Sequence, residues 1–163
     1  MIFFGFKALN LFLLIVLPMI VLPYPFWVVP LGYLCGQMGA GLSIAIIFQL
    51  AHVVENVNYV LPDHAGNIPN NWAEHEMQTT SNFATSNLFL THLLGGLNFQ
   101  VEHHLFPTIS HVHYPNIQRI VKQTALEFNL PYHENKTFWK AIQSHYRLIK
   151  KLGREQGYEH LKS

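Results

Sequence analysis

The chain has 163 residues, 50% hydrophobic and only 12% charged, about half the charged share of an ordinary soluble domain. With His neutral the net charge is +1, so the composition supplies no overall electrostatic attraction for nucleic acid or for an acidic partner. A single cysteine, Cys35, excludes an internal disulfide framework and any multi-cysteine zinc or iron–sulfur site; in its apolar surroundings it reads as a small helix residue.

The charges are unevenly placed. No Asp, Glu, Lys or Arg occurs from Ala8 to Val54, and all nine acids and nine of the ten bases lie at Glu55 or beyond. A globular core of this size needs a charged surface sooner, so the first third reads as dissolved in lipid. The first apolar segment runs from Ile2 to Leu22. At about 1.5 Å per residue its roughly 21 residues span a ~30 Å hydrocarbon layer, with Lys7 able to snorkel to one interface. A signal peptide is the competing reading, but no small-x-small cleavage site follows Leu22 and apolar sequence resumes at once. Pro23, Tyr24 and Pro25 break the segment. Tyr24, Phe26 and Trp27 suit a headgroup boundary. A second span follows from Phe26 to Leu50, and its Gly32, Gly36, Gly39, Ala40 and Gly41 suit close approach of neighbouring membrane helices.

Two spans joined by a short turn predict a helical hairpin, with Met1 and everything after His52 on one side. Lys122, Lys136, Lys140, Arg147, Lys150 and Lys151 assign that side to the cytoplasm. The expected fold is all-α and integral to the membrane: a transmembrane hairpin over residues 1–56, then a helical cytosolic cap over residues 57–163. Within the cap, Asn56 to Asn71 is a polar loop with Pro62, Asp63, Gly66 and Pro69. Trp72 to Leu94 is expected to contain a helix near the interface, closed by Gly95 and Gly96. Tyr114 to Phe128 reads as an amphipathic helix with Pro115 in its first turn. Thr137 to Leu152 reads as another, with Phe138, Ala141, Ile142, His145, Leu148, Ile149 and Leu152 on its apolar face. Its basic residues form a solvated face or meet anionic headgroups. A polar tail follows Gly153.

Eleven histidines, more than the acids or the bases, are the outlier. His is the commonest metal ligand. In Gly95 to His113 (GGLNFQVEHHLFPTISHVH), helical spacing lets Gln100 converge with His103 and His104, while Glu102 points elsewhere. Two adjacent histidines beside Phe99, Leu105 and Phe106 need partners for their ring nitrogens once dehydrated, and a metal would take one nitrogen of each. The alternative is an exposed or hydrogen-bonded pair. His52 ends the uncharged second span, with Gln49, Glu55 and Asn56 three or four residues away. Ionisable residues at that depth serve a site facing the bundle interior, although a histidine at headgroup level fits the same position.

These stretches resemble the membrane fatty acid desaturase family. QVEHHLFP is similar to that family's third histidine box, with glutamine in first place as in front-end and acyl-lipid or acyl-CoA desaturases. FQLAHVVE, WAEHEMQTTSNF, GGLNFQVEHHLFP and ISHVHYP follow in the family's order, densely from Phe48 to Ile120. The resemblance implies a di-iron site that uses oxygen and two electrons to remove two hydrogens from an acyl chain. The substrate would be an acyl lipid or acyl-CoA in the membrane. The electrons would come from an external donor, a ferredoxin or small cytochrome, and no nucleic acid is involved. Carried over residue by residue, it implies His103, His104 and His52 as iron ligands, Gln100 as a weak ligand or hydrogen-bond donor, and His75 as a ligand or neighbour of one. His111 and His113 would orient the cap. His64, His92, His133, His145 and His160 carry no implied role.

Two earlier boxes of the family, H-x(3–4)-H and H-x(2–3)-H-H, have no counterpart before His52, the first histidine. The expectation is therefore a fragment or one half of a split enzyme whose missing N-terminal half holds the other ligands, and which alone does not desaturate lipid. Three other readings remain: a related hydroxylase or ketolase, a non-catalytic remnant or partner subunit, and a zinc protein using His103, His104, His111 and His113. The last lacks a carboxylate at HExxH spacing.

Overall fold

A computed structural model describes residues 2–68 and 70–154 of the chain. Pro69, His160 and the polar tail beyond Arg154 lie outside the described residues. The chain divides into two units, Met1–Ala45 and Ile46–Ser163. The first carries α1 (Ile2–Val21) and most of α2 (Val28–His52), both long and apolar enough to cross a membrane. Within α1, Phe12–Val16 widens into a π-helical turn immediately before Pro18. Proline has no amide hydrogen for the carbonyl one turn back, and its ring crowds that carbonyl, so the ladder opens there. The Lys7 ammonium lies 5.7 Å over the Phe3 ring. Around Gly32, Gly36, Gly39 and Gly41 an added Cβ would meet only open space. Among the described residues no helix occupies the close approach that these glycines permit.

The second unit begins with the last turns of α2 and continues with α3 (Trp72–Thr79), β1 (Ser81–Phe83), α4 (Leu88–Leu93), α5 (Gln100–Leu105), a 3-10 turn (His111–His113), α6 (Tyr114–Glu127), β2 (His133–Asn135) and α7 (Phe138–Leu152). The structure is mostly helical, as composition and periodicity predict. Between Trp72 and Leu94 the expected helix is present as two, α3 and α4, and the departure from an all-α chain is the short strand between them, which pairs with β2. Asn71 starts α3 through a reciprocal capping box with Glu74, satisfying amides that the helix start leaves free. Beyond Thr79, Thr80, Ser81 and Asn82 are weak helix formers whose polar groups compete with the helical ladder. All three are fully buried, and Ser81–Phe83 pairs in parallel with His133–Asn135. Parallel strands need a long crossover. Here α4, α5 and α6 supply it, so no local sequence signal announces the pair.

Two apolar clusters organise this unit. In one, Leu50 and Ala51 at the end of α2 meet Phe83, Ala84 and Ala141, with Ile47, Leu90, Leu94, Phe138 and Ile142 packed against them. In the other, Met77, Val101, Val121 and Ala125 pack together with Leu105, Ile117, Leu130 and Tyr132. The second cluster grips α5 between α3 and α6. Helix α2 stops at His52, so Glu55 and Asn56 do not continue the helical face of Gln49 and His52. The Glu55 amide donates to Ser144 Oγ at 3.0 Å, and the Glu55 carboxylate lies 3.6 Å from Arg147.

Candidate metal centre

Helix α5 is six residues long, too short to persist by its own propensity, so its orientation depends on what holds it. Val101 and Glu102 face inward and are fully buried. The Asn82 amide accepts from the Val101 N–H at 2.9 Å and donates to the Glu102 carboxylate at 2.6 Å. The Tyr132 hydroxyl donates to the other Glu102 oxygen at 2.7 Å. Burial pushes the Glu102 carboxyl above its ordinary value, against the lowering effect of the Tyr132 and Asn82 hydrogen bonds. Hydrogen bonds to a buried carboxylate are each worth about 1.5–3 kcal/mol, and leaving such a group unpartnered costs more. The network therefore anchors β1, α5 and the approach to β2 together, with Glu102 turned away from the histidines as its helical position requires.

On the other side of α5 emerge His103 and His104, with ring centroids 5.9 Å apart. The His52 ring lies 5.0 Å from that of His104. Residues distant in sequence thus bring three imidazoles together, and each has a partner at Nδ1. His104 Nδ1 is 2.6 Å from the Glu76 carboxylate, His103 Nδ1 is 3.1 Å from the Tyr114 hydroxyl, and His52 Nδ1 makes a longer 3.5 Å contact to the Thr79 carbonyl. With the proton on Nδ1, the carboxylate and the carbonyl fix ring orientation and leave Nε2 with its lone pair. Among the described residues no hydrogen bond engages any of these three Nε2 atoms. Desolvation first, then the neighbouring His104, lowers the pKa of His103, which favours the neutral form that a metal ligand requires.

Gln100 opens α5, and its amide is fully buried with neither the oxygen nor the nitrogen hydrogen-bonded among the described residues. Buried amides without partners are rare. One placed a single turn before the paired histidines suits a site where the missing partner is a ligand or a bound group. His75 sits beside Glu76 on α3 with a buried Nδ1 that has no partner among the described residues, and its ring is not among the edge-on contacts of His52, His103 and His104. Among the described residues no group of three or more His, Cys, Asp or Glu side chains is already gathered as a cation site. Even so, the donor set is one that iron accepts: neutral imidazoles oriented through Nδ1, with a carboxylate behind one of them.

Sequence reasoning missed the partners Glu76, Thr79 and Tyr114. Glu76 stands 28 residues before His104, and only tertiary packing brings the two together. Tyr114 is seated by the loop before α5. Gly96 has φ +79°, and an added Cβ there would lie 2.4 Å from His111 Cβ and 3.1 Å from the Tyr114 ring. His111 therefore packs against the glycine turn, in keeping with a structural part for the HVHYP stretch, whereas His113 is exposed at the start of α6. His145 Nδ1 donates to the Val53 carbonyl at 2.7 Å and His92 Nδ1 to the Leu88 carbonyl at 2.8 Å. Both are packing roles away from the trio.

Sequence comparison with known proteins points to one family. The family model for fatty acid desaturases matches residues 2–136. An acyl-lipid (8-3)-desaturase of Physcomitrium patens is 41% identical over 152 residues, covering 93% of this chain and 32% of that protein. An sn-1 linoleoyl-lipid 6-desaturase of Synechocystis is 44% identical over 118 residues, covering 72% of this chain and 33% of the relative. An acyl-lipid (8-3)-desaturase of Mortierella alpina is 38% identical over 151 residues, covering 93% and 33%. The chain spans about a third of the length of these relatives. No solved structure matches. With the family match extending over most of the chain and across both histidine-bearing segments, the protein belongs to the fatty acid desaturase family.

Proposed function

We propose that this chain contributes part of the di-iron centre of an oxygen-dependent desaturase acting on the acyl chain of a membrane lipid. The supporting observation is the convergence of His52, His103 and His104, each held at Nδ1 with Nε2 left for a metal. The relatives' names, acyl-lipid and linoleoyl-lipid desaturases, support a lipid-borne acyl substrate. In this reading α1 and α2 span the bilayer, and the histidine-rich part that follows His52 lies on its cytoplasmic side. The chemistry supplied by bound iron is reductive activation of oxygen, which removes two hydrogens from adjacent methylenes and forms two waters with two electrons and two protons from an external donor.

The chain's own residues orient and shield. Glu76 holds the His104 ring, Tyr114 the His103 ring and the Thr79 carbonyl the His52 ring, so three ligands keep one geometry through turnover. Gln100 presents a buried amide able to hydrogen-bond a bound water or to ligate weakly. The apolar residues around α5, Phe99, Val101 and Leu105, keep bulk water from its inner side. His75, one residue before Glu76 on α3, is the remaining candidate for a further ligand or a neighbour of one, on the strength of its buried Nδ1. Three imidazoles are too few for two irons, so the remaining ligands come from a further polypeptide segment.

The test is to purify this chain in detergent, alone and co-expressed with a segment carrying the HxxxH and HxxHH boxes. Iron is measured by mass spectrometry and fatty acid products by gas chromatography. Expected is less than two irons per chain and no new double bond alone, with both restored by co-expression. Full iron loading and turnover by the chain alone would overturn the shared site. Absence of iron and product in the co-expressed form would overturn the desaturase reading, and a hydroxylated product would reassign it to hydroxylation.

A further inference from the structure

Helices α4 and α7 both pack on the end of α2. Leu90 and Leu94 of α4, and Phe138, Ala141 and Ile142 of α7, share one apolar cluster with Ile47, Leu50 and Ala51. Ile47 is five residues from the end of the span, so at about 1.5 Å per residue this cluster lies within roughly 8 Å of where α2 leaves its apolar stretch. Ser144 and His145 of α7 also bond to the chain just beyond, at Glu55 and Val53.

The faces these helices turn outward do not suit water. On α4, Leu88, Phe89 and Leu93 are 61%, 78% and 69% exposed, and they lie on one side at i, i+1 and i+5 while Leu90 and Leu94 point inward. On α7, Trp139 and Tyr146 stand two turns apart on one face and are 65% and 63% exposed. Around them are Lys140, Arg147, Lys150 and Lys151, with no acidic residue anywhere in the helix. Lys150 lies over the Tyr146 ring, and Arg147 is loosely paired with Glu55.

We infer that α4 and α7 form a collar seated in the bilayer interface, with Leu88, Phe89 and Leu93 reaching the upper acyl chains and the α7 aromatic and basic residues engaging anionic lipid headgroups. Two properties carry this beyond a solvated basic face. The first is the shared depth with the end of α2, and the second is the pairing of exposed Trp and Tyr with basic residues, which headgroup regions favour. An acidic protein would complement the charge but leaves the exposed leucines and phenylalanine of α4 without an environment. The inference rests on the reading that α2 spans a bilayer.

The test uses the full chain with W27F and W72F, leaving Trp139 as the sole tryptophan, reconstituted in neutral phosphatidylcholine or with added phosphatidylglycerol. Expected is blue-shifted Trp139 emission, quenched by lipid brominated near the headgroup end of the acyl chain and shielded from aqueous iodide. Phosphatidylglycerol strengthens both effects, and K140Q/K150Q/K151Q abolishes that gain. Moving the probe with W139F and F89W gives quenching by more deeply placed bromine. Iodide-accessible probes at both positions, in a chain that resists alkaline extraction from the membrane, overturn the collar while leaving the spanning helices intact. Extraction by alkali overturns the spanning reading and the collar with it. Shielding that arises only on adding an acidic protein overturns the lipid assignment.

Discussion

Gly96 couples backbone conformation to the candidate site. At φ +79° a side chain is strained, and a Cβ would lie 2.4 Å from His111, so the turn must shift and carry Tyr114 away from His103. Gly96→Ala is expected to cost more than about 1 kcal/mol of stability, read as a lower denaturant midpoint in detergent. Glu76 acts through another residue, as the carboxylate that holds His104. In the iron-loaded assembly Glu76→Ala is expected to weaken metal affinity by about 10–100-fold, with Glu76→Gln recovering part of it because its amide oxygen still accepts from Nδ1. Equal affinity in all three forms, by competition with a chelator, would remove Glu76 from the ligand-orienting set. The histidines were legible because a pair beside a glutamine at helical spacing is unusual in an apolar stretch. Glu76 was not, since an acid in an amphipathic segment looks like any solvated one until the fold shows what it faces.

Among the elements, α6 shows how an end is set. The Leu130 amide reaches back to the Ala125 carbonyl at 2.8 Å and Asn129 has φ +53°, the left-handed residue that closes a helix. Asn129→Gly is expected to raise stability by up to about 1 kcal/mol, and Asn129→Val to lower it by about 1–2 kcal/mol, measured by thermal unfolding followed by circular dichroism. The helices α6 and α7 were predicted within a residue or two because their apolar positions repeat at helical spacing and Thr137 caps the second. The strand inside the stretch from Trp72 to Leu94 was not legible, for the opposite reason. Its polar residues Thr80, Ser81 and Asn82 are buried by partners far along the chain, and burial of that kind leaves no local period.

For the molecule as a whole, β2 is tied to α6 and to the segment after β1 through Glu134, which accepts from Lys122 at 2.6 Å and from the Thr85 hydroxyl. Burial alone would raise its carboxyl, but the Lys122 and Thr85 contacts outweigh it and hold the folded value below the ordinary 4.5. A lowered folded value means that this contribution is fully present above 4.5 and is lost as pH falls below it through the folded value. Because Lys122 is partly exposed, the pair is worth about 0.5–1 kcal/mol. Glu134→Gln is expected to reduce stability by that amount at pH 7 and to converge on the parent chain as the pH falls through the folded value of Glu134, in denaturant titrations over a series of pH values; a constant gap would remove the ion pair as its cause. The sequence by itself determined the apolar helices, the amphipathic α6 and α7 and the histidine-rich segment, since composition and period are local properties that water and lipid read directly. Tertiary structure alone decided that His52 meets His104 and that each of the three rings finds a partner at Nδ1. It also decided that a buried carboxylate at Glu102 anchors α5, because such contacts join residues tens of positions apart and exist only once the chain has packed.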